Sequence, residues 1–232
     1  MGTPVCTYMP ERTYIVDTAA VGEGKLNYLV RGNMPLAADG TIAYAELGAK
    51  LLELNPDLIL GDMSLLVISL IDNQGELNDL ELEFTGFGCP DVVGNLAWPP
   101  YFNGVDCFTE YGTMVNGNTQ QGGSIVWFPV QGCTDDSNCA LVENAQYDFC
   151  GLVAWLTALM SSCTNTVIYY HCEHGHDRTS ALTAAYQMEW LKYPLDQVLD
   201  DKPPTGAKAF GHAWEATYEA LVKWYATTLP TE

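Results

Sequence analysis

One short stretch of the chain combines residue types that could do chemistry on an anion. Cys172 and Arg178 are separated by five residues in the segment 171–179, HCEHGHDRT. A cysteine thiolate is a strong nucleophile, and an arginine fork can hold two oxygens of a phosphate group. The spacing alone is a weak indication, because eight cysteines and nine basic residues produce it by chance about 0.3 times per chain of this length. The residues around the pair therefore decide its interpretation.

The surrounding sequence predicts a strand, a tight loop and a helix. Residues 166–170 are β-branched or aromatic and predict a strand, and residues 180–191 predict a helix. A loop between a strand end and a helix start can aim backbone N–H groups and the positive end of the helix dipole at an anion. Gly175 allows a tight turn there, and Thr179 can donate its hydroxyl to the cysteine sulfur. This setting predicts a stabilised thiolate in an anion-binding loop.

The motif His171-Cys172-x5-Arg178-Thr179 resembles the phosphate-binding loop of the protein tyrosine phosphatase superfamily, which includes dual-specificity and inositide phosphatases. The resemblance is close over residues 166–190 and loose over most of the chain. It implies that Cys172 attacks phosphorus to form a phosphocysteine, that Arg178 clamps the phosphate, and that water then hydrolyses the intermediate with no metal or other cofactor. The substrate-binding residues it implies are His171, Glu173, His174, Gly175, His176, Asp177 and Thr179.

Three other stretches extend the resemblance. Residues 27–35, NYLVRGNMP, resemble the early "tyrosine, arginine, small residue, proline" stretch of small dual-specificity-type enzymes. Residues 67–70 resemble the sheet strand that follows, and residues 127–130 resemble the strand that leads to the acid loop. The resemblance therefore also implies where the general acid should be sought.

The family's general acid is an aspartate that protonates the leaving oxygen, a few tens of residues before the cysteine. Asp135 stands 37 residues before Cys172 and Asp136 stands 36 before it, whereas Asp148 stands only 24 before it. We therefore predict Asp135 as the acid and keep Asp136 as the second candidate. Residues 131–134 lengthen the interval between strand and aspartate, and a solvated turn is the competing interpretation of both carboxylates.

Other interpretations of the loop stay open beside the catalytic one. Cys172 could be a buried structural thiol. It could also bind a transition metal together with His171, His174 and His176, which would block the nucleophile. A phosphate-recognition module that binds without turnover is a further alternative, although the intact cysteine, arginine and threonine argue against it.

The charge of the chain bears on its partners. Nine basic and twenty-nine acidic residues give a formal net charge of -20, which repels nucleic acid and anionic membranes. We expect a phosphorylated substrate of the phosphotyrosine or dual-specificity type, with an inositol phosphate or phosphoinositide as the alternative. Lipid-directed relatives usually carry lysines in the loop, where this chain has Glu173, His174 and His176. Histidines become cations below about pH 6.5, so we expect better activity on anionic substrates in mild acid.

The whole chain predicts an α/β fold with a central, mostly parallel sheet flanked by helices, as in protein tyrosine phosphatases. We interpret residues 1–232 as one domain with a loop-rich insertion at 86–124. Cys133 and Cys139 could form a disulfide, and no run of 18 apolar residues predicts a membrane span. A soluble protein is expected, in the cytoplasm or secreted. The predicted strands are 26–30, 65–71, 80–84, 125–130 and 166–170, and the predicted helices are 44–54, 144–161, 180–191 and 209–225.

Overall fold

The structure, a computed structural model, describes residues 6–22, 24–71, 77–86, 124–145, 148–163, 165–209 and 211–230. Within these ranges the strands are β1 (Tyr14–Ala20), β2 (Leu26–Asn33), β3 (Ser64–Ser69), β4 (Ser124–Trp127) and β5 (Thr166–Cys172). The helices are α1 (Tyr44–Leu54), α2 (Leu77–Gly86), α3 (Asp136–Ala145), α4 (Phe149–Ser162), α5 (Asp177–Glu189), α6 (Leu195–Asp200) and α7 (Ala216–Thr228). None of the helices in the described ranges has the length and apolar character needed to cross a membrane.

The strands form one sheet in the order β1-β2-β5-β3-β4. Strands β2, β5, β3 and β4 run parallel, and β1 joins the edge of β2 antiparallel. Strand β5 is the central strand, and all seven of its residues are buried. The predicted α/β fold with a mostly parallel central sheet is confirmed.

Apolar side chains cover both faces of this sheet. Along β3, Leu65 and Val67 join a core with α1 and α2, whereas Leu66 and Ile68 join a core with α4, α5 and α7 on the other face. Burial on both faces explains why the central strands are nearly continuous apolar runs rather than alternating ones. The sheet thereby holds the carboxyl end of β5 on a rigid base.

The predicted strand at 80–84 is wrong, because this segment lies inside helix α2. Its alternating leucines and glutamates fit a period of two, but five residues are too few to separate that period from a helical one. Asp79, Leu82 and Glu83 are all buried, and their spacing places them on one face of a helix. Glu83, which a half-exposed strand would turn to solvent, is therefore in the core.

The predicted helix at 144–161 corresponds to α4, and its first two residues belong to the end of α3, a helix without a counterpart among the predictions. Asp148 separates the two helices, and its Oδ1 accepts a hydrogen bond of 2.7 Å from the Gly151 backbone N–H at the start of α4. The final helix begins at Ala216 rather than at 209, and β1 and α6 had no counterpart among the predictions. The remaining predicted elements are confirmed in kind, α1 with its predicted bounds.

Two further predictions concern the middle of the chain. The disulfide between Cys133 and Cys139 is confirmed. The loop-rich insertion at 86–124 lies, apart from its two end residues, outside the described residues. The single-domain interpretation stays a prediction.

Candidate active site

Strand β5 delivers Cys172 to the carboxyl edge of the sheet. In the ladder Cys172 pairs with Asn33 of β2, and His171 pairs with Ser69 of β3. The Cys172 side chain is only 5% exposed, so its sulfur is recessed between these neighbours. Helix α5 begins five residues later, at Asp177, and the intervening segment is the predicted loop.

The first turn of α5 is tied back to the end of β5 through Thr179. The Cys172 backbone N–H donates to Thr179 Oγ1 at 2.8 Å, and the Thr179 hydroxyl donates to Cys172 Sγ at 3.2 Å. The oxygen accepts one hydrogen bond and has a single proton, for which the sulfur is a closer acceptor than the Gly32 carbonyl oxygen at 3.5 Å. Thr179 is fully buried, so water does not compete for this contact. A donor in this position stabilises negative charge on the sulfur.

Gly175 forms the tight turn of the loop. Its φ is +69°, and a Cβ added here would lie 2.6 Å from the Gly32 carbonyl oxygen. The Gly175 carbonyl in turn accepts a hydrogen bond of 3.0 Å from Arg31 Nη2, which also donates to Ser180 Oγ at 2.9 Å. The loop therefore needs a glycine both for its backbone conformation and for the close approach of β2.

Three consecutive carbonyl groups of the loop accept hydrogen bonds from residues outside it. They are Glu173 O from Met34 N (3.1 Å), His174 O from Arg12 Nη1 (2.6 Å) and Gly175 O from Arg31 Nη2 (3.0 Å). In a trans peptide the N–H of the next residue points opposite to the C=O. The N–H groups of residues 174–176 therefore point to the other side of the loop, as an anion cradle requires.

The His171 side chain lies beneath the loop and not in it. It is fully buried, its Nε2 donates to Glu83 Oε1 at 2.6 Å, and its Nδ1 is 3.2 Å from the Cys172 carbonyl oxygen. Glu83, also fully buried, accepts a second hydrogen bond from Ser69 Oγ at 2.8 Å. Because burial keeps the ring from direct contact with a substrate, any part of His171 in substrate binding has to act through the position of the loop, and that role stays a prediction. The ring can orient the loop, and Glu83 orients the ring.

Two histidines form a stacked pair at the start of α5. The rings of His176 and His212 are 4.3 Å apart with an interplanar angle of 18°, and His212 Nε2 donates to Asp177 Oδ1 at 3.0 Å. Burial, with smaller contributions from the charges of Arg12 and His212, lowers the pKa of His176 to about 4. The expectation of a loop histidine that becomes a cation near pH 6.5 is therefore wrong for His176.

The exposed His174 has different neighbours. Its Nδ1 is 3.4 Å from Cys6 Sγ, and its Nε2 is 4.0 Å from Glu173 Oε1. The alternative of a metal site would need these groups to converge with His176 and Cys172. Within the described ranges no group of three or more histidine, cysteine, aspartate or glutamate side chains could hold a metal ion.

Arg178 has a partner that the sequence did not point to. Tyr218, on the first turn of α7, forms a side-chain hydrogen bond with Arg178, and burial raises the pKa of Tyr218 to about 12. The tyrosine therefore stays neutral, and its oxygen accepts the hydrogen bond from the guanidinium, which has donors only. It was visible in the sequence only as one aromatic residue of the final helix.

Asp135 and Asp136 lie at the start of α3, and both are exposed. Asp135 Oδ1 accepts a hydrogen bond of 3.0 Å from the Asn138 backbone N–H, so it also caps the helix. The loop before it is anchored to α7, since Cys133 N donates to Thr217 O at 2.9 Å. Thr217 adjoins Tyr218, so this anchor lies one residue from the partner of Arg178. The assignment of either aspartate as the acid stays a prediction.

The sequence matches no family model and no curated protein. Among solved structures, the chain is similar to a kinase-associated phosphatase in which the catalytic-site cysteine is replaced by serine. The alignment covers 89% of this chain and 92% of that chain, with 14% sequence identity and a TM-score of 0.37. A likeness of this degree carries no argument about function, which has to come from the loop itself.

Proposed function

We propose that the protein is a cysteine-dependent phosphatase that hydrolyses phosphomonoesters through a phosphocysteine intermediate. The observation that carries the proposal is the buried hydrogen bond from Thr179 Oγ1 to Cys172 Sγ, at the junction of β5 and α5. It places a donor on the sulfur, next to peptides whose N–H groups share one side of the loop. A purely structural thiol would gain nothing from this arrangement.

In the first step the Cys172 thiolate attacks phosphorus, an S–P bond forms, and the bond from phosphorus to the leaving oxygen breaks. Asp135 gives its proton to that oxygen, while Arg178 and the loop N–H groups hold the phosphoryl oxygens. In the second step a water oxygen attacks phosphorus, its proton passes to Asp135, and the S–P bond breaks. The Thr179 hydroxyl stabilises the thiolate as it leaves.

The recessed sulfur bears on the kind of ester. A phosphoryl group has to be carried past the rim of the loop to reach a side chain that is 5% exposed. The phenyl ring of a phosphotyrosine provides that reach, whereas a phosphoserine brings the substrate backbone against the rim. We infer an aryl phosphate of the phosphotyrosine type as the preferred substrate, with dual specificity for shorter side chains at lower rates.

The test is phosphate release from para-nitrophenyl phosphate in the presence of a chelator. Wild type should be active, Cys172→Ser should be inactive, and Cys163→Ser should serve as the matched control, because Cys163 is a half-buried thiol at the end of α4. Acid quench during turnover should trap phosphate on Cys172, detectable by mass spectrometry.

Two results would contradict the proposal. One is activity that survives Cys172→Ser and is lost with chelator, which would indicate a metal-dependent reaction. The other is tight binding of phosphotyrosine peptides by the wild type with no phosphate release, which would indicate a recognition module.

A further inference from the structure

All three arginines of the chain lie in or against the loop. Arg178 belongs to it, Arg12 donates to the His174 carbonyl, and Arg31 donates to the Gly175 carbonyl. A third of the nine basic residues therefore lie at this loop, although the chain as a whole has a net charge of -20. Because Glu11, Glu173 and Asp177 lie in the same region, the arginines attract an anion at short range, through direct contact with their guanidinium groups.

A cavity of about 200 Å³ opens between the loop and the segment that precedes β1. Its lining includes Arg12, Tyr14 and Arg31 on one side, and Gly175 and His176 of the loop on the other. The cavity thus shares Gly175 and His176 with the loop that carries Cys172, and the rest of its lining comes from outside that loop. It offers hydrogen-bond donors from two guanidinium groups, whereas the Tyr14 hydroxyl already donates to the Glu11 carbonyl oxygen at 2.7 Å.

Arg31 is the unusual member of this lining. It is 1% exposed, and its Nε is a buried donor without a hydrogen-bond partner. Its Nη groups donate to two backbone carbonyls and to the Ser180 hydroxyl, all of which are neutral acceptors. Among the described residues no carboxylate forms an ion pair with Arg31 or with Arg12. A buried cation is costly without a counter-charge, so an anion in the cavity would offset that cost.

We propose that this cavity binds an oxyanion, a phosphate or carboxylate group, on the outer side of the Cys172 loop, where the loop carbonyls meet Arg12 and Arg31. The inference rests on the proposed function, because it assumes that Cys172 is the nucleophile that reacts with the substrate. The preferred ligand is then a second anionic group of the same substrate, and a free inorganic anion is the other source of the same chemistry. The loop itself lacks lysines, and Arg12 and Arg31 supply the missing cations from outside it.

One carboxylate makes the proposal testable in both directions. Glu11 lies on the rim of the cavity, and its side chain is exposed. It repels an incoming anion, whereas Arg12 on the neighbouring position attracts it. Neutralising the two residues should therefore shift selectivity in opposite senses, which a general disturbance of the loop would not do.

The experiment compares kcat/KM for phenyl phosphate with that for 3-carboxyphenyl phosphate, 4-carboxyphenyl phosphate and benzene-1,4-diyl bisphosphate. The ratio of each probe to phenyl phosphate cancels damage to the catalytic loop. We expect the best ratio to fall about tenfold in Arg12→Gln, the loss of one charged hydrogen bond, and to recover in part in Arg12→Lys. In Glu11→Gln the same ratio should rise about threefold, the effect of removing one screened repulsive charge.

Inorganic sulfate separates the two sources of the anion and keeps the test independent of turnover. Calorimetric titration of Cys172→Ser with sulfate should give two bound ions, and adding Arg12→Gln should leave one. A second sulfate site without a change in the substrate ratios assigns the cavity to a free ion, and changes in the ratios assign it to the substrate. The inference is overturned if neither the kcat/KM ratios nor the number of bound sulfate ions changes when Arg12 or Glu11 is substituted. Absence of hydrolysis with two sulfates bound overturns only the proposed function.

Discussion

Asp135 has a structural role in the fold and a catalytic role in the proposal, and one substitution separates them. Asparagine caps a helix as well as aspartate does but has no proton to give. Asp135→Asn should therefore keep the free energy of unfolding within about 0.5 kcal/mol, while kcat falls about 100-fold on alkyl phosphates. The loss should shrink on para-nitrophenyl phosphate, whose leaving oxygen needs little protonation. The measurement is kcat across leaving groups, together with thermal unfolding.

Asp136→Asn is the matched control for this prediction, since the two carboxylates are adjacent and both exposed. If the leaving-group-dependent loss appears in Asp136→Asn instead, Asp136 is the acid. A normal kcat on every ester in both variants would rule out the whole segment and direct attention to other carboxylates.

His176 should make the stability of the fold depend on pH. Its pKa is lowered to about 4 by burial, whereas the unfolded chain has a histidine of ordinary pKa near 6.5. Between these two values the unfolded state binds a proton that the folded state does not, so stability is complete above pH 6.5 and is lost as the pH falls towards 4. Because the ring is only half-buried, we expect a loss of about 1 kcal/mol after solvent screening.

The groups that face this ring are Arg12, His174 and His212, which oppose its protonation, and Asp177, which favours it. The comparison is denaturant unfolding of wild type and His176→Gln at pH 7 and pH 4.5. The variant removes the stack with His212 at both pH values, so the readout is the change in unfolding free energy between them. Equal pH dependence in the two proteins would show that His176 titrates normally.

At the scale of the loop, the turn at Gly175 can be tested against another glycine with the same backbone conformation. Gly175 and Gly24 both have φ of +69°, but a Cβ at Gly24 would have nothing within 4 Å, whereas at Gly175 it would meet Gly32. Alanine at either position strains the backbone by about 1–2 kcal/mol. Gly175→Ala should cost about 1–3 kcal/mol more through the clash, and it should abolish binding of inorganic phosphate.

Denaturant unfolding and calorimetry with phosphate measure both effects. Gly24→Ala should bind phosphate like the wild type in spite of its lower stability. If Gly175→Ala also binds phosphate normally, the close approach of β2 to the loop is not what shapes the anion cradle.

Helix α2 supports the site from below through a single carboxylate. Glu83 is fully buried and is held by His171 and Ser69, so Glu83→Ala would leave both partners unpaired in the core. We expect a loss of about 3 kcal/mol in the free energy of unfolding, with a smaller loss in Glu83→Gln. Glu81→Ala on the exposed side of the same helix should change stability by no more than about 0.5 kcal/mol. Chemical denaturation measures the free energy of unfolding of each variant. Equal losses in Glu81→Ala and Glu83→Ala would contradict the role of the buried carboxylate.

The segment around Cys172 could be predicted from the sequence, whereas the role of Glu83 in helix α2 could not. The strand, the glycine turn and the helix around Cys172 are encoded within about two dozen residues, so local patterns predicted them. The groups that hold the loop come from far away in the chain: Glu83 is 88 residues from His171, and Arg12 is 162 residues from His174. Nothing in the neighbourhood of Glu83 distinguishes a buried partner from a surface charge, because its burial is decided by tertiary packing.

At the scale of the whole molecule, the positive charges at the site and the negative charge of the chain act on a substrate in opposite ways. The site gathers all three arginines, while the chain as a whole carries a net charge of -20. A small anion that enters the site meets the arginines, but a long substrate also lies across the acidic surface. The field of that surface extends over about a Debye length, which is about 30 Å at 0.01 M salt and about 8 Å at 0.15 M.

This conflict predicts how peptide substrates will be selected. A phosphotyrosine peptide flanked by lysines should have a higher kcat/KM at low salt than one of equal length flanked by glutamates, because the acidic surface steers the first and repels the second. Raising NaCl from about 0.01 M to about 0.15 M should bring the two values together, as the shorter Debye length removes the long-range part of both effects. A glutamine-flanked peptide is the control, and its kcat/KM should change least. A preference for lysine flanks that is unchanged by salt would instead locate the selectivity in direct contacts, and a preference for glutamate flanks would mean that the arginines at the loop outweigh the surface even for long substrates.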